Sequence, residues 1–292
     1  MDIWHKIARI VKIANIGTVI FFLCNMAVIV ALFGGDKEAM LPMALFYIAG
    51  VALSLSPVGE WVLCFLAGAE EIKRVDVKLK VVPLLEVVYD KAYKKTPDVP
   101  KKVHLKIIHE EYANAYALGY HTICVTDGLL DLPDGEVMGI LAHEVGHLRY
   151  RHSVLQLLMG GSNIFICGFL LVLKIVSYIF TGLMLLFSIQ SRSWAAGIFS
   201  LLAGGFFTGA IWLWSRFCLL FLRWSMRQNE LVADAYAYEL GFGKELASAL
   251  DVMEASHTNG LLKALYSTHP DKHTRIAKLQ QMGVQYSRYA FR

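Results

Sequence analysis

Charge is what this sequence has least of. Asp, Glu, Lys and Arg make up 18% of its 292 residues and 56% are apolar, whereas an ordinary soluble domain is roughly a quarter charged and 45–50% apolar. The shortage is local: residues 154 to 222 hold only Lys174, Arg192 and Arg216, three charges in 69 positions, while residues 70 to 153 hold 25 in 84. That split excludes a uniform globular core and implies a membrane protein with one well-solvated insert. Cysteine is also scarce. There are five, an odd number, and Cys24, Cys64, Cys167 and Cys218 fall in apolar stretches with no C-x-x-C pair, which excludes a disulfide framework and a cysteine zinc site. The net charge of +4 is spread along the chain with no basic patch, so a nucleic-acid partner is excluded. No internal repeat or low-complexity segment is present.

The long uncharged runs fall in two pairs. Residues 13–35 form a run of 23, enough for a helix to cross the roughly 30 Å hydrocarbon core of a bilayer. No A-x-A-like cleavage site closes it, so a retained span is expected rather than a signal peptide. Beyond Asp36-Lys37-Glu38 a second run covers Ala39 to Gly59, then Glu60 and a further apolar piece, Trp61 to Ala69. This predicts a hairpin whose second arm extends past Pro57. The second pair is Val154 to Ile189 and Ala195 to Leu222, broken only by Arg216. The first of these exceeds the 20 or so residues one crossing needs and carries Lys174 at its centre. Either the helix begins outside the bilayer or a short pair of helices lies there. Basic residues cluster at one set of ends: Lys6, Arg9 and Lys12; Lys73, Arg74, Lys78 and Lys80; Arg149 and Arg151; Arg223 and Arg227. The two short opposite loops hold one each, Lys37 and Arg192. The positive-inside rule then puts both termini and the insert on the cytoplasmic side.

Within the insert, Val82 to Lys95 has helical apolar spacing, Val103 to Ile108 alternates like a strand, and Ala113 to Leu118 with His121 to Thr126 reads as a strand pair turning at Gly119. Leu129 to Arg151 reads as a helix entered through Asp131 and Pro133, with Asp134 and Glu136 suiting the dipole of its first turn. Strands first and helices after make a small α+β unit.

That helix contains His143-Glu144-Val145-Gly146-His147, an H-E-x-x-H pattern. Histidines at i and i+4 lie about 40° apart around a helix, so both imidazoles reach one metal, and the Glu beside them is placed to take a proton from water. Catalytic zinc takes three protein ligands and leaves one position open. A third His six residues after the second is absent, because position 153 is Ser and position 150 is Tyr. His152 falls about 180° from His143 on a continued helix and is expected to face away. The third ligand is therefore expected from a second helix. Glu230, in Arg227-Gln228-Asn229-Glu230-Leu231-Val232-Ala233-Asp234, is the candidate, and Asp234 one turn on could orient a ligating imidazole N–H. An even number of crossings between His147 and Glu230 returns the chain to the same side.

With these residues the sequence resembles the HtpX-like membrane zinc metalloproteases, a family related to the CAAX prenyl proteases. The resemblance covers most of the chain and rests on His143 to His147, Ser225 to Asp234, the N-A-x-A-x-G stretch Asn114 to Gly119, and Ser267-Thr268-His269-Pro270 with Arg275 beyond. It implies zinc, one per chain, on His143, His147 and Glu230, with Glu144 activating the water. It implies an edge strand at Asn114, Ala115, Tyr116 and Ala117 onto which extended substrate pairs, and a pair, His269 and Arg275, facing the site to steady the oxyanion or the substrate backbone.

The expected architecture is an α-helical membrane protein with about four transmembrane helices in two hairpins and a small α+β zincin-type catalytic domain. Residues 1–69 form the first hairpin, 70–153 the first part of the catalytic domain, 154–222 the second hairpin and 223–292 the rest of the catalytic domain. The resemblance implies a zinc endopeptidase in a bacterial inner membrane, cleaving membrane or misfolded polypeptides at the cytoplasmic surface in protein quality control. Its partners are polypeptide substrate and the lipid bilayer. Two other readings stand beside it. One is a site-2-type intramembrane protease, disfavoured by the charges flanking the motif. The other is a membrane scaffold or transporter-like protein with an inactive site, to which Lys174 and Arg216 would contribute a polar pathway.

Overall fold

The structure is a computed structural model that describes residues 16–33, 37–191, 194–253 and 271–287. Two compact units interleave along the chain, one from residues 53–158 and 224 onward, the other from residues 16–52 and 159–223.

The second unit is helical. It contains α1 (Ile16–Phe33), most of α2 (Lys37–Ser54), all but the first turns of α6 (His152–Ser191) and the N-terminal part of α7 (Trp194–Glu239). Among the described residues its packed interior is small, with Phe21 against Met159 and Ile29 against Tyr47. Large apolar side chains from Leu171 to Phe217 are mostly exposed, an apolar surface far beyond what a soluble monomer presents. Leu171–Gln190 and Gly197–Phe217 are each long and apolar enough to cross a membrane, and Met40–Ser54 with Pro57–Leu66 adds a third if that broken pair counts as one. Ile20–Val30 is a shorter apolar helix. By length and composition the described residues therefore give two or three spans where the sequence predicts about four. The break before α3 (Pro57–Leu66) follows from Pro57 at the first helical position, which forces Ser56 into an extended conformation, ψ 166°. The long apolar run after Val154 lies in one continuous helix of 40 residues, about 60 Å long, so it extends well beyond its apolar span and is not a short pair.

The first unit is α+β. Its sheet has the order β1-β2-β4-β3, from β1 (Glu70–Glu71), β2 (His104–Ile108), β3 (Ala115–Leu118) and β4 (Thr122–Thr126). β3 and β4 pair antiparallel across Gly119, whose φ of +67° suits a residue without Cβ. β2 joins β4 in parallel, leaving β3 at the edge. α4 (Val75–Lys95) starts seven residues earlier than predicted, burying Val77, Val81, Leu85, Val88 and Ala92 on one face. It tolerates Pro83 because that residue sits on the exposed side, where water can take the carbonyl the proline cannot serve. Lys80 on this helix donates to the Leu130 and Leu132 carbonyls at 2.5 and 2.7 Å, holding the 3₁₀ turn Asp127–Asp131 that precedes α5 (Asp134–Arg149).

α5 is buried along almost its whole second half and packs on α4, α8 (Gly243–Val252) and the end of α7. Two glycines set its depth. A Cβ on Gly146 would lie 3.1 Å from Ala233 Cα, so the α5 and α7 backbones nearly touch beside the H-E-x-x-H residues. A Cβ on Gly139 would lie 2.5 Å from the Leu246 backbone nitrogen. Gly139→Ala gains up to about 1 kcal/mol of helix propensity, yet overpacking against rigid backbone costs about 1–3 kcal/mol. A net loss of thermal stability is the expected outcome for the detergent-solubilised chain. A variant more stable than the parent would refute so close a helix approach.

Candidate active site

Two helices bring the polar residues together. α5 supplies His143, Glu144 and His147 one helical turn apart, and α7 supplies Glu230 and Asp234, also one turn apart, with the Gly146–Ala233 approach fixing the gap. All five side chains are buried. The two Nε2 atoms of His143 and His147 lie 3.0 Å apart. The Glu230 carboxylate faces both, Oε2 at 3.4 Å from His143 Nε2 and Oε1 at 3.3 Å from His147 Nε2. Glu144 stands beside them, Oε1 at 3.9 Å from His143 Nε2. His143, Glu144 and His147 form a group able to hold a metal ion.

The far nitrogens of the imidazoles are engaged. His143 Nδ1 lies 2.8 Å from Asp234 Oδ1, which orients that ring and leaves Nε2 pointing to the shared centre. His147 Nδ1 lies 2.9 Å from His152 Nδ1. The sequence predicted that His152 would face away, and the structure corrects this. α5 ends at Arg149, Arg151 takes φ 58°, and α6 restarts at His152, so the helical angle no longer applies and the ring is 2% exposed.

Arg275, on α9 (Lys272–Gln281), is buried against the same cluster. Its guanidinium takes Asp234 bidentately, Nη2 to Oδ1 at 2.6 Å and Nε to Oδ2 at 2.8 Å, and Nη1 lies 3.3 Å from Glu230 Oε2. Its fork is thus engaged by two carboxylates of the site. His269 lies outside the described residues. Burial pushes the Asp234 pKa up, but Arg275 and His143 outweigh it and lower it to about 2. Burial and the Arg275 charge push the His143 pKa down, but contacts with Asp234 and Glu230 outweigh them and raise it to about 9. Burial, and then His147, hold His152 well below its ordinary value.

The edge strand runs beside this cluster. Ala117 N–H donates to Glu144 Oε2 at 2.6 Å, and Ser153 Oγ donates to the Ala117 carbonyl at 2.5 Å. Ala115 N–H donates to Asn114 Oδ1 at 2.9 Å, and the Asn114 amide donates to Tyr116 Oη at 2.9 Å. Side chains therefore already engage the Ala115 N–H and both the N–H and carbonyl of Ala117 on the outer side of β3, and an incoming strand would exchange with them. Sequence reasoning passed over Ser153 and also Glu60. Glu60 on α3 accepts from Tyr120 N–H, His121 N–H and Thr122 Oγ at 3.0, 3.3 and 2.6 Å, clamping the β3–β4 turn. Its place inside an apolar run was the available signal, because a carboxylate there needs partners.

The donor set fits a divalent metal of borderline softness. Two imidazole nitrogens and one carboxylate converge on a common centre, and each imidazole is held through its other nitrogen. Comparison with known proteins points the same way. Residues 84–283 match Peptidase family M48. The chain is 27% identical over 304 residues to Protease HtpX of Pasteurella multocida, spanning 90% of this chain and 97% of that one. It is 26% identical over 264 residues to a Protease HtpX homolog of Salinibacter ruber, spanning 80% and 86%. It is 30% identical over 180 residues to Protease HtpX homolog 1 of Sulfolobus acidocaldarius, spanning 58% and 53%. The crystal structure of S. mikatae Ste24p overlaps 87% of this chain and 61% of its own, with a TM-score of 0.47 and 18% identity. With the family match spanning most of the chain and including both site helices, the protein belongs to Peptidase family M48, among its HtpX-like members.

Proposed function

We propose that this metallopeptidase is a zinc-dependent, membrane-anchored endopeptidase acting on membrane or misfolded proteins at the cytoplasmic surface of a bacterial inner membrane, in protein quality control. The observation that carries the reading is the convergence of His143 Nε2, His147 Nε2 and the Glu230 carboxylate within 3.0–3.4 Å of one another, with Glu144 alongside. These three side chains would hold the metal. When bound, zinc polarises a water and the scissile carbonyl.

The chain's own residues account for the rest. Glu144 takes a proton from the attacking water and returns it to the leaving amine, a carboxylate acting as base and then as acid. Asp234, fixed by Arg275, holds His143 Nδ1–H and so keeps that ring's Nε2 directed inward. β3 lies at the sheet edge and offers a substrate strand the outward groups of Ala115 and Ala117, with Asn114 and Tyr116 alongside. The membrane location rests on the apolar helices, and the cytoplasmic orientation on the clustering of Lys and Arg at one set of span ends. The two candidate spans between His147 and Glu230 make an even number, as a site shared by α5 and α7 requires.

The scaffold or transporter reading draws on Lys174 and Arg216. Lys174 Nζ lies 5.6 Å from the Tyr178 ring and the Arg216 guanidinium 5.3 Å from the Trp212 ring, each on its own helix. No Asp or Glu lies in either span to form a relay with them. Metal analysis of the purified full-length chain separates the readings. One zinc per chain, lost in Glu230→Ala, is expected; a chain that binds no zinc would be the scaffold.

A further inference from the structure

The backbone between α5 and α6 is strained. Among the described residues Arg151 is the one non-glycine residue with positive φ, 58°, a conformation that persists only where the surroundings enforce it. Its consequence is local: the helix stops at Arg149, restarts at His152 after two intervening residues, and His152 turns back into the cluster instead of continuing around the α5 axis. There the ring stacks on Tyr150, centroids 5.6 Å apart at 15°, and meets His147 edge-on at 5.0 Å. The two Nδ1 atoms are 2.9 Å apart.

We infer that His152 is a positioning residue that fixes the metal-binding tautomer of His147 by accepting a hydrogen bond from its Nδ1–H. The inference rests on the proposed role of His147 as a metal ligand. The proton count is closed. Two ring nitrogens at hydrogen-bond distance share one proton, so one Nδ1 donates and the other accepts. If His147 accepted there, its own proton would sit on Nε2, the atom 3.3 Å from Glu230 Oε1, and that nitrogen would have no lone pair for a metal. Ligation through Nε2 therefore requires His147 to donate and His152 to accept, with the remaining His152 proton on its Nε2. His143 is fixed by a carboxylate, Asp234, and His147 by a neutral ring. The two ligands thus have partners of different chemical kind.

Histidine partners of this kind contribute roughly 10- to 100-fold in metal affinity. The test is zinc affinity of the detergent-solubilised full-length chain, measured by chelator competition. His152→Leu removes the acceptor and is expected to weaken zinc binding by about 10- to 100-fold. His152→Asn puts Oδ1 near the place of Nδ1 and is expected to restore affinity to within about threefold of the parent, a rescue that lost packing alone would not give. His143→Ala is the control for the metal site itself. If His143→Ala abolishes binding while His152→Leu binds like the parent, the tautomer role is overturned and the zinc site stands. If His152→Asn binds as weakly as His152→Leu, His152 acts by packing and the inference is also overturned. If His143→Ala leaves zinc affinity unchanged, the metal site lies elsewhere, and both this inference and the proposed function fall.

Discussion

Glu144→Gln is expected to keep zinc on the protein and to lower peptide cleavage by about 100- to 10,000-fold, the usual contribution of a positioned general base. The structure explains why glutamine is the informative replacement. Glu144 Oε2 accepts a hydrogen bond from Ala117 N–H at 2.6 Å, so the side chain both stands beside His143 and His147 and holds the edge strand. An amide oxygen still accepts that bond, which leaves β3 in place, but it cannot take up a proton from water at neutral pH. Alanine would lose both functions and leave a buried N–H without its acceptor, at a cost of about 1–3 kcal/mol. The measurement pairs cleavage of a membrane-protein substrate with zinc content of the same preparation. Cleavage by the glutamine variant at the parent rate would remove Glu144 from the mechanism; loss of zinc would recast it as a ligand.

The parts of this site that are local in the chain could be read from sequence, and the parts that depend on one backbone angle or on distant segments could not. His143, Glu144 and His147 follow from i, i+4 spacing on a helix, and Glu230 with Asp234 from one helical turn of spacing on another. The fold brings the five together because Gly146 lets Ala233 approach, a contact with no sequence signal beyond two small residues. His152 was misplaced because helical arithmetic assumes a continuous helix, and the single positive φ at Arg151 ends it. The strand pair across Gly119 was legible, but the parallel docking of β2 on β4 is a long-range choice that alternation does not encode. The first turns of α4 were missed because Val75-Asp-Val-Lys-Leu-Lys-Val alternates like a strand. Their helical state comes from burying Val77 and Val81 with Leu85 on one face, so tertiary packing overrides the local pattern. In the sequence Glu60 only separates the apolar run Ala39–Gly59 from the piece Trp61–Ala69, whereas in the fold it is the clamp on the β3–β4 turn.

Arg275→Met is expected to be the most destabilising single change in the site. Arg275 is the permanently charged cation that faces both Asp234, at 2.6 and 2.8 Å, and Glu230, at 3.3 Å, with a bidentate fork on Asp234. Breaking a buried ion pair from one side leaves uncompensated charge and costs about 3–5 kcal/mol, which corresponds to roughly 10 °C in the melting temperature of a chain this size. The cost should depend on metal, because a divalent cation bound by Glu230 and the histidines supplies part of the missing positive charge. The gap between variant and parent is therefore expected to be wider in chelator than in zinc. Acid behaviour should move as well. In the metal-free parent the folded Asp234 pKa is lowered from 3.8 to about 2, so its stabilising contribution is full above pH 3.8 and is lost as pH falls through about 2. Without Arg275 the main lowering influence is gone and burial still pushes the pKa up, so the acid unfolding midpoint is expected to shift to higher pH. Arg275→Lys keeps the charge without the bidentate fork and should fall between the two. Thermal melts of the solubilised chain across pH, with and without zinc, test each part. A methionine variant that melts within about 1 °C of the parent in chelator, with an unmoved acid limb, would mean that Asp234 and Glu230 do not depend on Arg275 for their charge.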